Sequence, residues 1–377
     1  MRILVAPDKF KGTLSAAAAA QAICDALVQA DDRIDARAVP MADGGDGTLA
    51  VAREQGYLER AAPAVDGRGR KVQAPYAVRG RQAFIELAAV CGLASVLDLP
   101  LRPWEASTLG LGLVARHAVE AGAREVTIGL GGSASVDGGL GFAVGLGCRV
   151  SDRLGLPVPP GLLGVRRAVR VSTRGFTEAV RRARWRFLVD VSNPLLGPTG
   201  AAAVFGPQKG LLEEEIAVAD ASIAAWVDLL DPKGGRRQAA EPGMGAAGGV
   251  ALAGTLLLDA QVLPGAEWVA EQARLSEQIA EADIVITGEG RFDDQSLMGK
   301  APGLVIDLAR QQGKPVYVIA GSSQVSQQDA IAAGVTGQVS LAQLAGDPDA
   351  AMAAPLPWLS TAATVLLAQM PDRGSSG

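Results

Sequence analysis

Acids, lysines and glycines gather at a few places in this 377-residue chain, and their spacing suits phosphate chemistry. The densest group is Thr287-Gly288-Glu289-Gly290-Arg291-Phe292-Asp293, followed by Asp294, Gln295 and Lys300, directly after the apolar run Ile284-Val285-Ile286. Open α/β sheets place ligands at the carboxyl ends of their strands. Phosphoryl transfer needs a metal held by oxygen ligands, a cation on the phosphates and a group that orients the attacking hydroxyl. The acids and Lys300 of this segment offer the first two. In Leu188-Val189-Asp190-Val191-Ser192-Asn193-Pro194 one acid interrupts an apolar run, a costly placement if it were buried without purpose. Asp190 is the preferred general base, with a cap on the Asn193-Pro194 turn as its ordinary alternative. His117 is the single histidine and reads as a helix-surface residue, so the base should be a carboxylate.

Glycines cluster beside small polar and acidic residues. The clusters are Ala42-Asp43-Gly44-Gly45-Asp46-Gly47-Thr48, Gly129-Leu130-Gly131-Gly132-Ser133-Ala134-Ser135-Val136-Asp137-Gly138-Gly139, Gly206-Pro207-Gln208-Lys209-Gly210, Gly243-Met244-Gly245-Ala246-Ala247-Gly248-Gly249 and the Gly288 segment. Glycine lets backbone approach an anion closely and turn several N–H groups toward it. Any one loop could be a plain tight turn; five, several carrying acids, point to anion binding. None is a standard nucleotide fingerprint. Gly299-Lys300 is followed by Ala301 and lacks the earlier P-loop glycine, and Gly243-x-Gly245-x-x-Gly248 follows no buried strand.

The elements that must hold these groups alternate between strand and helix. Arg2 to Ala6 reads as a buried strand, Leu14 to Gln29 as a helix and Asp35 to Val39 as a strand. Residues 60–87 alternate between glycines and suit antiparallel strands, a helix at Ser107 to Ala121 leads to a strand at Glu125 to Leu130, and βα patterning returns near residue 283. The fold class is α/β in two domains. Residues 1–62 with 280–372 form a Rossmann-like domain from both chain ends, 63–279 an inserted mixed α/β domain, and 373–377 a disordered tail. A cleft between the domains is the expected ligand site.

A hydrophobic share of 49% against 20% charged suits a folded globular chain. A net charge of −5 argues against nucleic-acid binding, and the arginines between Arg166 and Arg186 read as a solvated surface. Cys24, Cys91 and Cys148 lack metal or redox spacing and read as buried packing residues. The apolar start has no signal-peptide layout and no segment has spanning length without charge, so a cytoplasmic protein without membrane contact is expected.

Ala6-Pro7-Asp8-Lys9-Phe10-Lys11-Gly12-Thr13-Leu14-Ser15, the Asp43-Gly44-Gly45 loop, Gly131-Gly132-Ser133-Ala134 with Asp137-Gly138-Gly139, Asp190 to Leu195, Val204 to Gly210 and Thr287 to Arg291 with Gln295 and Gly299-Lys300 closely resemble the glycerate kinase family. The resemblance runs in order from residue 1 to about 370. It implies the non-P-loop, bacterial glycerate 2-kinase type: phosphorylation of D-glycerate to 2-phosphoglycerate with ATP and Mg2+, on a Rossmann-like domain carrying an inserted α/β domain. Carried onto matching positions, it implies catalytic roles for Asp8, Lys11 and Asp190. Substrate contacts would come from Asp43, Gly44, Gly45, Ser133, Asp137 and Asn193, and phosphate or nucleotide contacts from Gly131, Gly132, Lys209, Gly288, Gly290 and Lys300. Glu289 and Asp293 are the expected metal ligands. Lys9 departs from the usual Ser, Asp46 from the common Glu, and Leu111, Leu113 and Val136 stand where polar residues are usual, which bears on which hydroxy acid fits.

Other readings are 3-phosphoglycerate as product, a kinase for another small hydroxy acid, a nicotinamide-dependent dehydrogenase, or a non-catalytic two-domain protein closing on a small acid. The weak dinucleotide pattern and the lone His117 count against the dehydrogenase. A homo-oligomer stays open.

Overall fold

The computed structural model describes residues 1–297 and 299–370; the tail at 373–377 lies outside them. The chain divides into two compact units, one of Met1–Asp43 with the described residues from Gly265 on, the other of Gly44–Pro264. The pattern of strands and glycines puts the first boundary near residue 62, whereas the second unit begins at Gly44. Helix Thr48–Glu54 packs on the neighbouring strands Gln82–Glu86 and Lys71–Arg79, which draws its residues into that unit.

The first unit is built on five parallel strands in the order Gly337–Ser340, Val316–Ser323, Ile284–Phe292, Arg2–Val5, Asp35–Ala38. Ile3 to Ala6, Ile284 to Thr287 and Val316 to Ala320 are buried throughout, as expected of a parallel sheet covered on both faces. One face carries helix Ala16–Ala30, whose buried Ala16, Ala19, Ala20, Ile23, Cys24, Ala26 and Leu27 form a stripe at helical spacing. Ser15 starts that helix by accepting the Ala18 N–H at 3.2 Å. Helix Pro355–Gln369 shares this core with Ile3, Val5, Ile284, Ile286, Tyr317 and Ile319. Helix Ala301–Gln311 packs against Ile284–Phe292 and Val316–Ser323, contributing buried Val305 and Ile306.

Strand order reverses in this sheet. Arg2–Val5 leads to the strand on one side, and Ile284–Phe292 leads to those on the other, so the crevice between their carboxyl ends is a topological switch point, where such sheets bind ligands.

The second unit has a six-stranded mixed sheet ordered Gln261–Pro264, Arg184–Val189, Glu125–Gly129, Gln82–Glu86, Lys71–Arg79, Leu58–Val65. The first four are mutually parallel, and the last two pair antiparallel to their neighbours. Thus the alternating segment at 60–87 forms the expected antiparallel strands, yet its third strand also joins a parallel set. Helices Leu109–Glu120 and Leu140–Gly145 pack on each other over a core that includes Leu111, Val114, Val126, Ile128, Phe142 and Phe187. The three cysteines are buried and unpaired, as expected. Burial pushes the Cys24 and Cys91 thiols up to about 12, which leaves them protonated and inert.

Candidate active site

At the switch point of the first unit, three acids converge from three adjacent strands. Asp8 follows Arg2–Val5, Asp43 follows Asp35–Ala38, and Glu289 lies within Ile284–Phe292. The glycine-rich segment at Glu289 is strand rather than loop: pairing with Val316–Ser323 continues to Phe292 opposite Ser323, beyond the end of Arg2–Val5, and fixes the Glu289 backbone. The Asp8 N–H donates to Gly288 O at 2.8 Å, tying the Asp8 turn to the same strand.

Burial, with Asp43 and Glu289 adding repulsion, pushes Asp8 up to about 7 against the pull of Lys9. Burial likewise pushes Glu289 up to about 7, opposed by Ser296 and Lys300 and reinforced by Asp293 and Asp43. Lys9 Nζ stands 3.4 Å from Asp43 Oδ1 and 3.8 Å from Asp8 Oδ1. Lys9 therefore answers part of the negative charge, a role that its sequence position did not reveal. Glu289 Oε1 is buried with no hydrogen-bond partner. An uncompensated buried carboxylate oxygen is costly, and a hard cation is one group that would satisfy it.

Asp293 is placed differently. Its Oδ1 accepts the Gln295 N–H at 3.0 Å and the Ser296 N–H at 3.3 Å, and Oδ2 lies 3.5 Å from Arg291, so the carboxylate caps a turn. Lys300 precedes helix Ala301–Gln311 and reaches Gln295 Oε1 at 3.4 Å. Gly288 and Gly290 serve close backbone packing: a Cβ on Gly288 would come within 1.9 Å of Ile319 O, and one on Gly290 within 2.9 Å of Lys11 N. Lys11 itself is exposed. Among the described residues, no group of three or more His, Cys, Asp or Glu side chains is arranged to hold a metal.

In the second unit the glycine loops meet each other. The Gly138 N–H donates to Gly248 O at 2.8 Å, and Lys209, turned inward ahead of left-handed Gly210, donates from Nζ to Ser133 Oγ at 2.7 Å and Ser135 O at 2.8 Å. Burial pushes Lys209 down to about 7, with Asp137 pulling the other way. An ammonium carries three donors, and two are used here. Ser135 Oγ is buried without a partner. A buried cation with a spare donor beside an unsatisfied hydroxyl suits an anion.

Asp137, expected to touch substrate, has both carboxylate oxygens bonded by the protein. Its carboxylate accepts from the Thr108 N–H at 2.8 Å, Thr108 Oγ1 at 2.8 and 3.0 Å, the Gly139 N–H at 3.1 Å and the Gly141 N–H at 3.2 Å, and it is wholly buried. It anchors the starts of helices Leu109–Glu120 and Leu140–Gly145. Gly131 likewise meets protein: a Cβ there would lie 2.4 Å from Gly45 Cα, so the two loops need close backbone contact. Gly44 and Gly45 are buried in that contact, and Gly132 is exposed.

Asp190 is exposed immediately after strand Arg184–Val189, beside the strand that feeds the Gly131 loop. Exposure removes the argument that an acid here must justify its burial; its place at a strand's carboxyl end is what remains. Asn193 Nδ2 donates to Thr199 O at 2.9 Å, which uses the side chain to hold its own loop. Glu86, which periodicity alone does not mark, is buried and accepts the Gly47 N–H at 3.2 Å and the Leu49 N–H at 2.7 Å, fixing the helix start after the Asp43 loop. A lone acid ending the strand Ala83-Phe84-Ile85-Glu86 was the available signal. Leu111 and Val136 are wholly buried in the core of this unit, and Leu113 packs against it, so these apolar departures have a packing account.

A parallel sheet with acids at its switch point, joined to a unit whose glycine loops enclose a buried lysine, is the outline of an α/β phosphotransferase without a P-loop. A model of the glycerate kinase family matches residues 3–370. The chain is 36% identical over 323 residues to the glycerate kinase of Halalkalibacterium halodurans, and 37% identical over 326 residues to the glycerate 2-kinase of Escherichia coli, in each case across 85% of both chains. A crystal structure of a Salmonella typhimurium protein provisionally named glycerate kinase 2 superposes with a TM-score of 0.82 at 33% identity, covering 98% of this chain and 99% of that one. The chain belongs to the glycerate kinase family, whose members are kinases acting on an alcohol acceptor.

Proposed function

We propose that the protein transfers the γ-phosphoryl group of ATP to the 2-hydroxyl of D-glycerate, giving 2-phosphoglycerate and ADP in the cytoplasm. The observation that carries this reading is Lys209: a buried ammonium with an unused donor, held by Ser133 and Ser135, is placed to take a carboxylate or phosphate oxygen. The regiochemistry draws support from the Escherichia coli relative named glycerate 2-kinase. In this reading the hydroxyl oxygen of glycerate bonds to the γ-phosphorus as the bond to the β,γ-bridging oxygen breaks. Asp190 accepts the hydroxyl proton, and Lys11 and Lys300 offset phosphate charge.

In this reading Mg2+ would be held by Glu289 through its orphaned Oε1, with Asp8 and Asp43 near it. When bound, it would neutralise charge on the phosphate oxygens. Asp293, engaged in its turn, is the weaker ligand. No helix among the described residues is long and apolar enough to cross a membrane.

The test is ADP release by the full chain with ATP and MgCl2, with and without D-glycerate, followed by phosphorus NMR of the product. Glycerate-dependent release with a 2-phosphoglycerate signal is expected. A 3-phosphoglycerate signal would overturn the regiochemistry. Unstimulated release from folded protein would overturn the substrate and direct the search to other small hydroxy acids.

A further inference from the structure

In the first unit a cavity of about 110 Å³ opens beyond the carboxyl ends of Ile284–Phe292, Val316–Ser323 and Gly337–Ser340. We propose that this cavity receives the adenine ring of the phosphoryl donor; the proposal rests on reading the protein as an ATP-dependent kinase.

The size selects part of a ligand. The cavity exceeds the roughly 10–15 Å³ that admits one water, and falls short of the roughly 300–1,000 Å³ that encloses a whole small-molecule ligand. One ring system can enter while the remainder of its molecule stays outside. Chemistry selects the ring over the acceptor. Phe10, Leu341, Ala351 and Pro348 make an apolar wall, with Phe10 and Leu341 almost wholly buried beneath it. Glycerate, a carboxylate with two hydroxyls, would lose hydration there without compensation, whereas a purine buries its faces against such a wall. Ser322 also lines the cavity.

Placement links the cavity to the acids. Side chains alternate along Ile284–Phe292, so Ile284, Ile286 and Gly290 turn toward the face bearing helices Ala16–Ala30 and Pro355–Gln369, while Glu289 turns toward Ser296 and Lys300 on the other. Gly290 lines the cavity and adjoins Glu289 in sequence, and Lys11 lines the cavity as well. A nucleotide whose base occupies the cavity would send its phosphates past Lys11 toward the acids.

The experiment uses the full chain and two variants. Ala342→Phe fills the cavity, and Met352→Asp puts charge at its wall on a residue that is 58% exposed and outside the core. Calorimetric titration with adenosine and steady-state kinetics with ATP and D-glycerate are measured on each, with circular dichroism as the check on folding. The expected result is adenosine binding to the parent chain, its loss in both variants, and a KM for ATP raised about tenfold or more, against an unchanged KM for glycerate. Should Ala342→Phe fail to fold, Met352→Asp carries the same expectation. Variants that keep the parental KM for ATP, or a parent that turns over ATP but does not bind adenosine, would overturn the cavity assignment while leaving the kinase intact. A parent that neither binds ATP nor releases ADP would overturn both.

Discussion

Burial acts on charge in opposite directions in the two units. In the first it gathers Asp8, Asp43 and Glu289, answered in part by Lys9, Ser296 and Lys300, and lifts Asp8 and Glu289 to about 7. In the second it encloses Lys209 among neutral acceptors and lowers it to about 7. One unit leaves a buried carboxylate oxygen, Glu289 Oε1, without a hydrogen-bond partner; the other leaves the Lys209 ammonium one donor short. Asp137 shows that depth is not the cause, because it is equally buried and yet supplied with backbone and hydroxyl donors on both oxygens. Incomplete satisfaction, rather than burial, separates Glu289 and Lys209 from Asp137, which holds the fold.

The largest effect expected from this contrast is at Lys209. Lys209→Met should fold and lose roughly 10²–10³-fold in turnover, the scale of removing one preorganised donor. The folded state holds this lysine below its ordinary 10.5, so the unfolded chain binds the extra proton between about 7 and 10.5. Parental stability to urea therefore rises with pH through that window, and the variant loses the rise. Full turnover in Lys209→Met would remove the lysine from the site.

Asp137→Ala should instead cost stability, about 2–3 kcal/mol from stranded buried donors, with the KM for glycerate of the folded fraction unchanged. A raised KM at parental stability would return Asp137 to the substrate. The third effect is confined to acid solution. Asp8 is raised from 3.8 to about 7, so the native state binds more protons across that window, and parental stability falls as pH rises through it. Asp8→Asn should remove part of that slope in urea titrations at pH 4.5 and 7; an unaltered slope would assign it to other acids. The smallest effect belongs to the exposed Arg116–Glu120 pair at 2.8 Å, where Glu120→Ala should change stability by less than about 0.5 kcal/mol. A larger loss would mean that the burial contrast omits an important surface contribution.

The sequence by itself determined the parallel βα pattern of the first unit, the antiparallel strands of the second, the family, and the strand ends that carry Asp8, Glu289 and Asp190. Those features are local: buried runs, turn glycines and acids a few residues apart record them directly. Tertiary structure decided which polar groups are satisfied. Lys209 finds its acceptors 76 and 74 residues away, Glu86 holds a helix start 37 and 39 residues away, and Lys9 meets Asp43 across 34. It also tied Asp137 to Thr108, 29 residues away, drew Asp293 into its own turn, and ran the Glu289 strand past Arg2–Val5. A side chain's hydrogen-bond balance depends on groups that only chain closure brings within about 3 Å, and periodicity in sequence carries no record of those distances.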